Sequence, residues 1–160
     1  MLPLLAIAHL LAAAPHSAGV EMKRPEPVRR AALRFAGAVR RRDVAGLLDM
    51  ASPAGITCGE EQYAPRDLPE YLGEPGSWLH ASLFSTREME QQAKRRPAPY
   101  SFAEFLKRAG KGVRIEVRQP DERNDGFACT YFHAAGLEYV PEVCFQKSGG
   151  RWRWSFGPGC

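Results

Sequence analysis

The segment 127–156 constrains the fold most, because its pattern is that of two successive β-hairpins. Residues 151–156 read Arg-Trp-Arg-Trp-Ser-Phe, so aromatic and polar side chains alternate with the two-residue period of a strand. Trp152 and Trp154 therefore share one face of that strand, and this face is expected to be buried. Gly149-Gly150 comes just before the strand, and two glycines favour a tight hairpin turn because both can adopt positive φ.

The turn at the two glycines predicts which residues of the second hairpin lie opposite each other. Phe145 falls opposite Trp154, and Val143 falls opposite Phe156. Apolar side chains then meet at both positions, as expected where a sheet packs on a core.

A second turn at Gly136-Leu137, with glycine first as in a type II′ turn, predicts the register of the first hairpin. In that register Cys129 lies directly opposite Cys144. The same register also pairs Ala128 with Phe145 and Thr130 with Val143. One alignment of the strands therefore satisfies both hairpins.

The four cysteines, Cys58, Cys129, Cys144 and Cys160, are expected to form two disulfides. Even sets of cysteines in small exported proteins usually pair, because nothing in an oxidising compartment keeps them reduced. The hairpin register favours Cys129 with Cys144, which leaves Cys58 with Cys160. No metal site is predicted, since the chain has no C-x-x-C or H-x-x-x-H motif, and no cofactor is predicted either.

Residues 1–19 have the composition of a secretory signal peptide. Leu4 to Ala14 is an apolar run broken only by His9, and a plain apolar helix is the alternative interpretation. No later run reaches the ~18 apolar residues that a membrane span needs. Residues 24–160 are therefore expected to form a single domain in the periplasm or outside the cell, without a membrane span.

A basic amphipathic helix is predicted after Pro27, since Val28, Phe35 and Val39 lie on one stripe of a helical period. The opposite side carries arginines, at Arg29, Arg30, Arg34, Arg40 and Arg41. The chain has a formal net charge of +4, and the residues up to Arg42 include eight basic and two acidic ones. The positive charge is thus concentrated in this helix. A solvated outer face is the simpler interpretation, and a polyanion-binding face is the alternative.

A second, short helix and an irregular middle segment are expected to follow. Asp43 is placed to cap a helix that continues through Met50. Segment 58–99 is rich in proline and is predicted to be loop and short turns up to Gly76, followed by an apolar stretch.

Two capping boxes predict two further helices. The S-x-x-E sequence that begins at Ser85 predicts a helix from Thr86 to about Arg95. The S-x-x-E sequence that begins at Ser101 opens a helix that Gly110 ends.

The period of the sequence changes to two between Val113 and Val117, which indicates one more strand before the hairpins. The sheet therefore has at least four consecutive antiparallel strands. Helices first and strands last are typical of an α+β domain with N-terminal helices packed on one face of a curved antiparallel sheet.

Two stretches of the chain resemble the NTF2-like (nuclear transport factor 2-like) superfamily. Residues 35–48 read Phe-Ala-Gly-Ala-Val-Arg-Arg-Arg-Asp-Val-Ala-Gly-Leu-Leu, which is similar to the family's long opening helix, R-x-D break and short second helix. The closing hairpin, Cys144-Phe145 followed by Gly150-Arg151-Trp152-Arg153-Trp154, is the other. The resemblance implies a cone-shaped fold or a variant of it. It decides no function, because the family includes isomerases, dehydratases, cyclases and noncatalytic binding modules.

Two groups of residues are candidates for function. An apolar pocket wall is expected where the first helix meets the aromatic face of the sheet; its members are Phe35, Val39, Phe105, Trp152 and Trp154. The polar candidates share the other sheet face and could carry acid–base chemistry in a cleft; they are Tyr131, His133, Glu142 and Arg153. An outward polar face is the simpler interpretation, and no residue is assigned a catalytic role.

Three classes of function agree with these features. The first is an exported NTF2-like module that binds a small molecule or a protein partner without catalysis, and the lack of a recognisable acid–base group favours it. The second is a small-molecule isomerase or hydrolase with its pocket between the first helix and the sheet. The third is an envelope or polyanion-binding protein that uses the arginine face of the first helix. Nucleic acid is not expected, because that face lacks interleaved aromatic residues.

Peptide mapping without reduction tests the predicted cysteine pairing. We expect one linked pair from Cys129 and Cys144 and a second from Cys58 and Cys160, because only this pairing agrees with both hairpins. A link between Cys144 and Cys160 would contradict the register, and four free thiols in the exported protein would contradict both disulfides.

Overall fold

The computed structural model describes residues 26–58, 61–92, 98–119 and 126–158. The predicted signal peptide at 1–19 lies outside the described residues. The described helices are α1 (Glu26–Arg41), α2 (Val44–Met50), α3 (Leu68–Gly73), α4 (Trp78–Phe84), α5 (Thr86–Gln92) and α6 (Phe102–Ala109). The described strands are β1 (Ile56–Cys58), β2 (Glu61–Tyr63), β3 (Val113–Arg118), β4 (Phe127–Ala134), β5 (Glu142–Ser148) and β6 (Arg151–Phe156).

The strands form one mixed sheet in the order β2-β1-β6-β5-β4-β3. Strands β3 to β6 are consecutive and antiparallel, as the sequence predicts. Strand β1 is antiparallel to β2 but parallel to β6, which it meets where Thr57 lies opposite Phe156. The protein is therefore α+β, with its N-terminal helices packed against the sheet, and the predicted fold class is confirmed.

The register of the two hairpins is confirmed at most positions. Cys129 lies opposite Cys144 and the two form a disulfide. Phe145 lies opposite Trp154, and both Gly149 and Gly150 have positive φ, at 55° and 74°. Ala128 with Phe145 and Thr130 with Val143 are the other predicted pairs that the structure contains.

The predicted pairing of Val143 with Phe156 is wrong. Cys144 lies opposite Phe156, because a β-bulge between Cys144 and Phe145 shifts the register. Ser155 is the extra residue on β6, and its hydroxyl donates a hydrogen bond to the carbonyl oxygen of Cys144 over 3.3 Å.

The predicted two-residue turn at Gly136-Leu137 is also wrong. The amide of Leu137 donates to the carbonyl of Ala134, so the turn is centred one residue earlier, although Gly136 does have a positive φ of 76°. The strands then separate until Glu142. Pro141 has no amide hydrogen to donate to the ladder, and its carbonyl accepts from Phe132 instead.

The middle segment 58–99 is more regular than predicted, since it contains β2, α3 and α4, and β1 ends at its first residue. Strands of three residues are too short to show a two-residue period. Pro69, which we interpret from the sequence as a loop signal, stands in the first turn of α3, where its missing amide hydrogen costs nothing.

The predicted helix caps are present. Asp43 accepts from the amide of Gly46 over 2.8 Å, Ser85 accepts from Glu88, and Ser101 accepts from Glu104. Gly110 ends α6 with a positive φ of 58°. The described part of α5 ends at Gln92, and the predicted continuation to Arg95 lies outside the described residues.

The core lies between α1 and the sheet. Helix α1 crosses the sheet and contacts all four strands from β3 to β6. The ring of Phe35 lies 4.9 Å from that of Trp154 and 5.7 Å from that of Phe102, measured between centroids. The predicted packing of the first helix on the tryptophan face is therefore confirmed.

Cys58 is buried and disulfide-bonded. Its expected partner, Cys160, lies outside the described residues, so that pairing stays a prediction.

The substitution Phe35→Ala should lower the free energy of unfolding by about 3 to 5 kcal/mol, because it opens a cavity in a fully buried aromatic cluster. Leu33→Ala is the matched control on the same helix, since Leu33 is 56% exposed, and it should change stability by less than about 0.5 kcal/mol. Urea denaturation measures both variants. Equal stability of the two would contradict the packing of α1.

Candidate functional site

The predicted pocket wall forms part of the core. Phe35, Val39, Phe105 and Trp154 have no exposed surface, and Trp152 is half-buried. None of these five residues lines either of the two surface cavities described below. The junction between α1 and the sheet is thus filled by side chains, and ligand binding by this set stays a prediction.

Three of the four polar candidates lie in one cluster on the outer face of the sheet. The hydroxyl of Tyr131 donates to Oε1 of Glu142 over 2.7 Å. Nε2 of His133 lies 3.1 Å from Oε2 of Glu116, a residue of β3 that sequence reasoning missed. The cross-strand pairing of Glu116 with Tyr131 joins the two halves of the cluster.

Arg118 connects the same groups from β3. Its Nε donates to Oε1 of Glu116 over 2.6 Å, and its guanidinium carbon lies 4.7 Å from the centroid of the Tyr131 ring. The alternation of Glu116 and Arg118 with apolar residues was the only sequence signal that could have placed them on this face.

Arg153 does not join the cluster. Its guanidinium donates to the backbone carbonyl of Asp49 near the end of α2. A cation at this position satisfies a carbonyl that the helix leaves without an internal partner. Arg153 therefore has a clear structural role, which is to join β6 to α2.

Two groups in the cluster, Glu116 and Tyr131, have pKa values that are shifted away from neutral pH. The hydrogen bond from Arg118 lowers the pKa of Glu116, with a smaller contribution from His133. Burial raises the pKa of Tyr131, and its hydrogen bond to Glu142 adds to the effect. Glu116 thus stays ionised and Tyr131 stays neutral near pH 7, so each is suited to holding its hydrogen-bond partner rather than to exchanging protons.

Cys129, Glu142 and Cys144 bring possible metal-ligand atoms within 4.8 Å of one another. The two sulfur atoms are bonded to each other in the disulfide, so neither is a thiolate. A carboxylate alone remains, and the group does not fit a metal ion.

The larger cavity is an open groove of about 640 Å³ on the helical side of the molecule. It lies between the end of α1, the start of α5 and the length of α6, and we call it the basic cleft. Five cationic side chains and one carboxylate line it among the described residues; they are Arg40, Arg42, Arg87, Lys107, Arg108 and Glu104.

The charges of the basic cleft are only partly neutralised. Arg40 donates to the carbonyl of Gly110 over 2.9 Å, and Arg42 donates to the carbonyl of Phe84 over 3.4 Å. Both partners are uncharged. Lys107 and Arg108 share the single carboxylate of Glu104, at 4.0 and 3.0 Å.

The side chain of Arg87 has no hydrogen-bond or ion-pair partner within the described parts of the chain. Arg42 lies at the turn between α1 and α2, and its φ of 54° is the only positive one among the described residues other than glycine.

Sequence reasoning missed the basic cleft, because its cations come from three separate segments and only Arg40 was assigned to a surface.

The smaller cavity, of about 400 Å³, lies between α1 and α2. Arg34 and Arg41 line it together with Asp49, so its charge is more nearly balanced than that of the basic cleft.

Neither a known family model nor a curated protein sequence matches the chain. Among the described helices, none has both the length and the apolar character to cross a membrane.

The substitution Arg118→Gln should raise the pKa of Glu116 toward the ordinary value of about 4.3, because it removes the strongest interaction with the ionised carboxylate. The lowered pKa stabilises the folded protein above the ordinary glutamate pKa, and this stabilisation is lost as the pH falls through the lowered value. NMR titration of the side-chain carboxyl carbon measures the shift. Arg151→Gln, which removes the same charge from distant β6, is the control, and an unchanged midpoint in Arg118→Gln would contradict the assignment.

Proposed function

We propose that the chain is an exported, noncatalytic NTF2-like module that binds an anionic partner at the basic cleft. The observation that carries the proposal is the excess of charge around an open cavity, where five cations face one carboxylate. Concave surfaces lined by one sign of charge concentrate the electrostatic field and attract ligands of the opposite sign.

The junction between α1 and the sheet is filled by side chains, which supports binding at the surface. Phe35, Phe105 and Trp154 fill the junction that an isomerase or hydrolase of this fold would use as its pocket. The polar residues on the outer face of the sheet are paired with one another, as Tyr131 is with Glu142. The basic cleft, by contrast, combines unneutralised charge with open space.

Export and family membership rest on separate observations. The disulfide between Cys129 and Cys144 is typical of an oxidising compartment. The long α1, the turn at Arg42-Asp43 and the short α2 follow the arrangement that the resemblance to NTF2-like proteins implies.

Heparin chromatography of a triple cleft variant tests the proposed site. Arg42→Gln, Arg87→Gln and Lys107→Gln together should abolish retention at about 0.15 M salt, because exposed charges outside a cleft are largely screened at that ionic strength. The measured quantity is the salt concentration at which the protein elutes from the column. A thermal melt checks that the variant is folded.

The matched control removes the same charge from the outer face of α1. Arg29, Arg30 and Arg34 are all exposed, and their joint replacement by Gln should leave retention nearly unchanged. Equal loss of retention in both triple variants would show that the column reports only net charge and would overturn the cleft as the site.

A further inference from the structure

Strand β3 forms one edge of the described sheet, and it lacks the features that usually keep an edge from pairing. Among the described strands it pairs with β4 alone, over the whole of Val113–Arg118 and without a bulge. Natural edges are commonly blocked by a proline, a bulge, a short length or a charge that points inward. This strand contains no proline, and its core side carries only Val113, Ile115 and Val117. A further strand can therefore pair with it.

The backbone groups of every second residue of β3 point away from β4. The amide of Phe132 on β4 donates to the carbonyl of Pro141, so the backbone of Phe132 faces the β5 side of the sheet. Ile115 lies opposite Phe132 in a pair without hydrogen bonds, so its own N–H and C=O point outward. Val113 and Val117 follow the same alternation. No described turn or loop bonds to these three residues, so three N–H and three C=O groups line the free edge.

A second copy of the same strand matches this edge when it runs antiparallel with Ile115 opposite Ile115. Val113 then lies opposite Val117, so apolar side chains meet on the core side, and both valines are only partly buried in one copy. Arg114 lies opposite Glu116 on the outer face, and two-fold symmetry forms this pair twice. The charged pairs fall at the positions without hydrogen bonds, where opposite side chains approach most closely.

The charges of β3 disfavour the neighbouring registers. A pairing centred on Glu116 would place that carboxylate opposite itself and Arg114 opposite Arg118, and like charges directly opposite each other are destabilising. A pairing centred on Val117 would place Ile115 opposite Gln119 on the core side. The register centred on Ile115 matches both the apolar and the charged residues. Because the match is of the strand with itself, it favours a second copy over an unrelated strand.

We propose that two copies of this chain form a dimer in which their β3 strands pair antiparallel about a two-fold axis at Ile115. The six-stranded sheet of one copy continues into that of the other. The contact is independent of the basic cleft, so this inference goes beyond the proposed function and does not rest on it.

Sedimentation velocity over a series of concentrations, with the exported protein, tests the dimer and its register. The wild type should dimerise. Arg114→Glu should raise the dissociation constant at least about tenfold, because carboxylates then face each other at both symmetric positions. Arg114 is exposed and has no hydrogen-bond or ion-pair partner within the described parts of the chain, so the variant should fold normally.

The control, Arg151→Glu, makes the same charge change on β6 and should alter the dissociation constant by less than about twofold. A wild type that stays monomeric would overturn the dimer and leave the edge to a strand of another protein. Unchanged dimerisation of Arg114→Glu would overturn the register.

Mixing two variants with complementary charges tests the pairing of Arg114 with Glu116 directly. Glu116→Arg should also weaken the dimer, because it places cations opposite each other. An equimolar mixture of Arg114→Glu with Glu116→Arg should dimerise again, since each changed residue then faces its opposite charge. Thermal melts check that both variants are folded. A mixture of folded variants that stays monomeric would overturn the pairing.

A proline on the free edge tests the backbone hydrogen bonds. Val117→Pro removes an N–H that points away from β4, so the monomer keeps its ladder, but the dimer loses one hydrogen bond from each copy and meets the proline ring at the edge. Dimerisation should be lost. Val117→Ala keeps the N–H and is the matched control, which should still dimerise. Equal dimerisation of the proline and alanine variants would overturn pairing through β3.

Discussion

The contact between Phe35 and Trp154 holds the helical layer on the sheet, and the rest of the structure depends on it. The two rings lie 4.9 Å apart, and the ring of Phe145, which is paired with Trp154 across the sheet, meets Phe35 edge-on. Phe102 brings α6 against the same ring. Because these aromatic side chains bury most of their surface against one another, the space between α1 and the sheet is filled. The junction between α1 and the sheet is therefore part of the core.

The position of α1 in turn determines where the surface cations lie. The helix ends at Arg41, and Arg42 takes the left-handed conformation in which glycine usually stands after a helix. Its amide donates to Val39, and its guanidinium turns toward the carbonyl of Phe84 at the end of α4. A glycine would serve the backbone equally well, but it would place no charge in the basic cleft. The turn between the first two helices thus contributes both to the fold and to the candidate site.

Features that depend on neighbouring residues were predictable from the sequence. Gly149-Gly150 indicated its turn, Asp43 and Ser101 indicated their caps, and strand alternation placed Cys129 opposite Cys144. Features that depend on distant segments were not. The parallel contact of β1 with β6 joins residues about 100 positions apart in the chain, and no local period encodes it. The bulge at Ser155 changes one pairing without changing the alternation of residue types, which is why the predicted partner of Phe156 was wrong.

The basic cleft does not coincide with the part of the sequence in which positive charge is concentrated. Arg29 and Arg30 of α1 are exposed and line neither of the two described cavities, so water and salt screen each of them separately. Arg42, Arg87 and Lys107 are also exposed, and they carry the same charge. They differ because three segments bring them around one cavity, where their fields add over the same volume. The sequence concentrates its positive charge in the first helix, but the fold gives the greater electrostatic effect to cations drawn mostly from elsewhere.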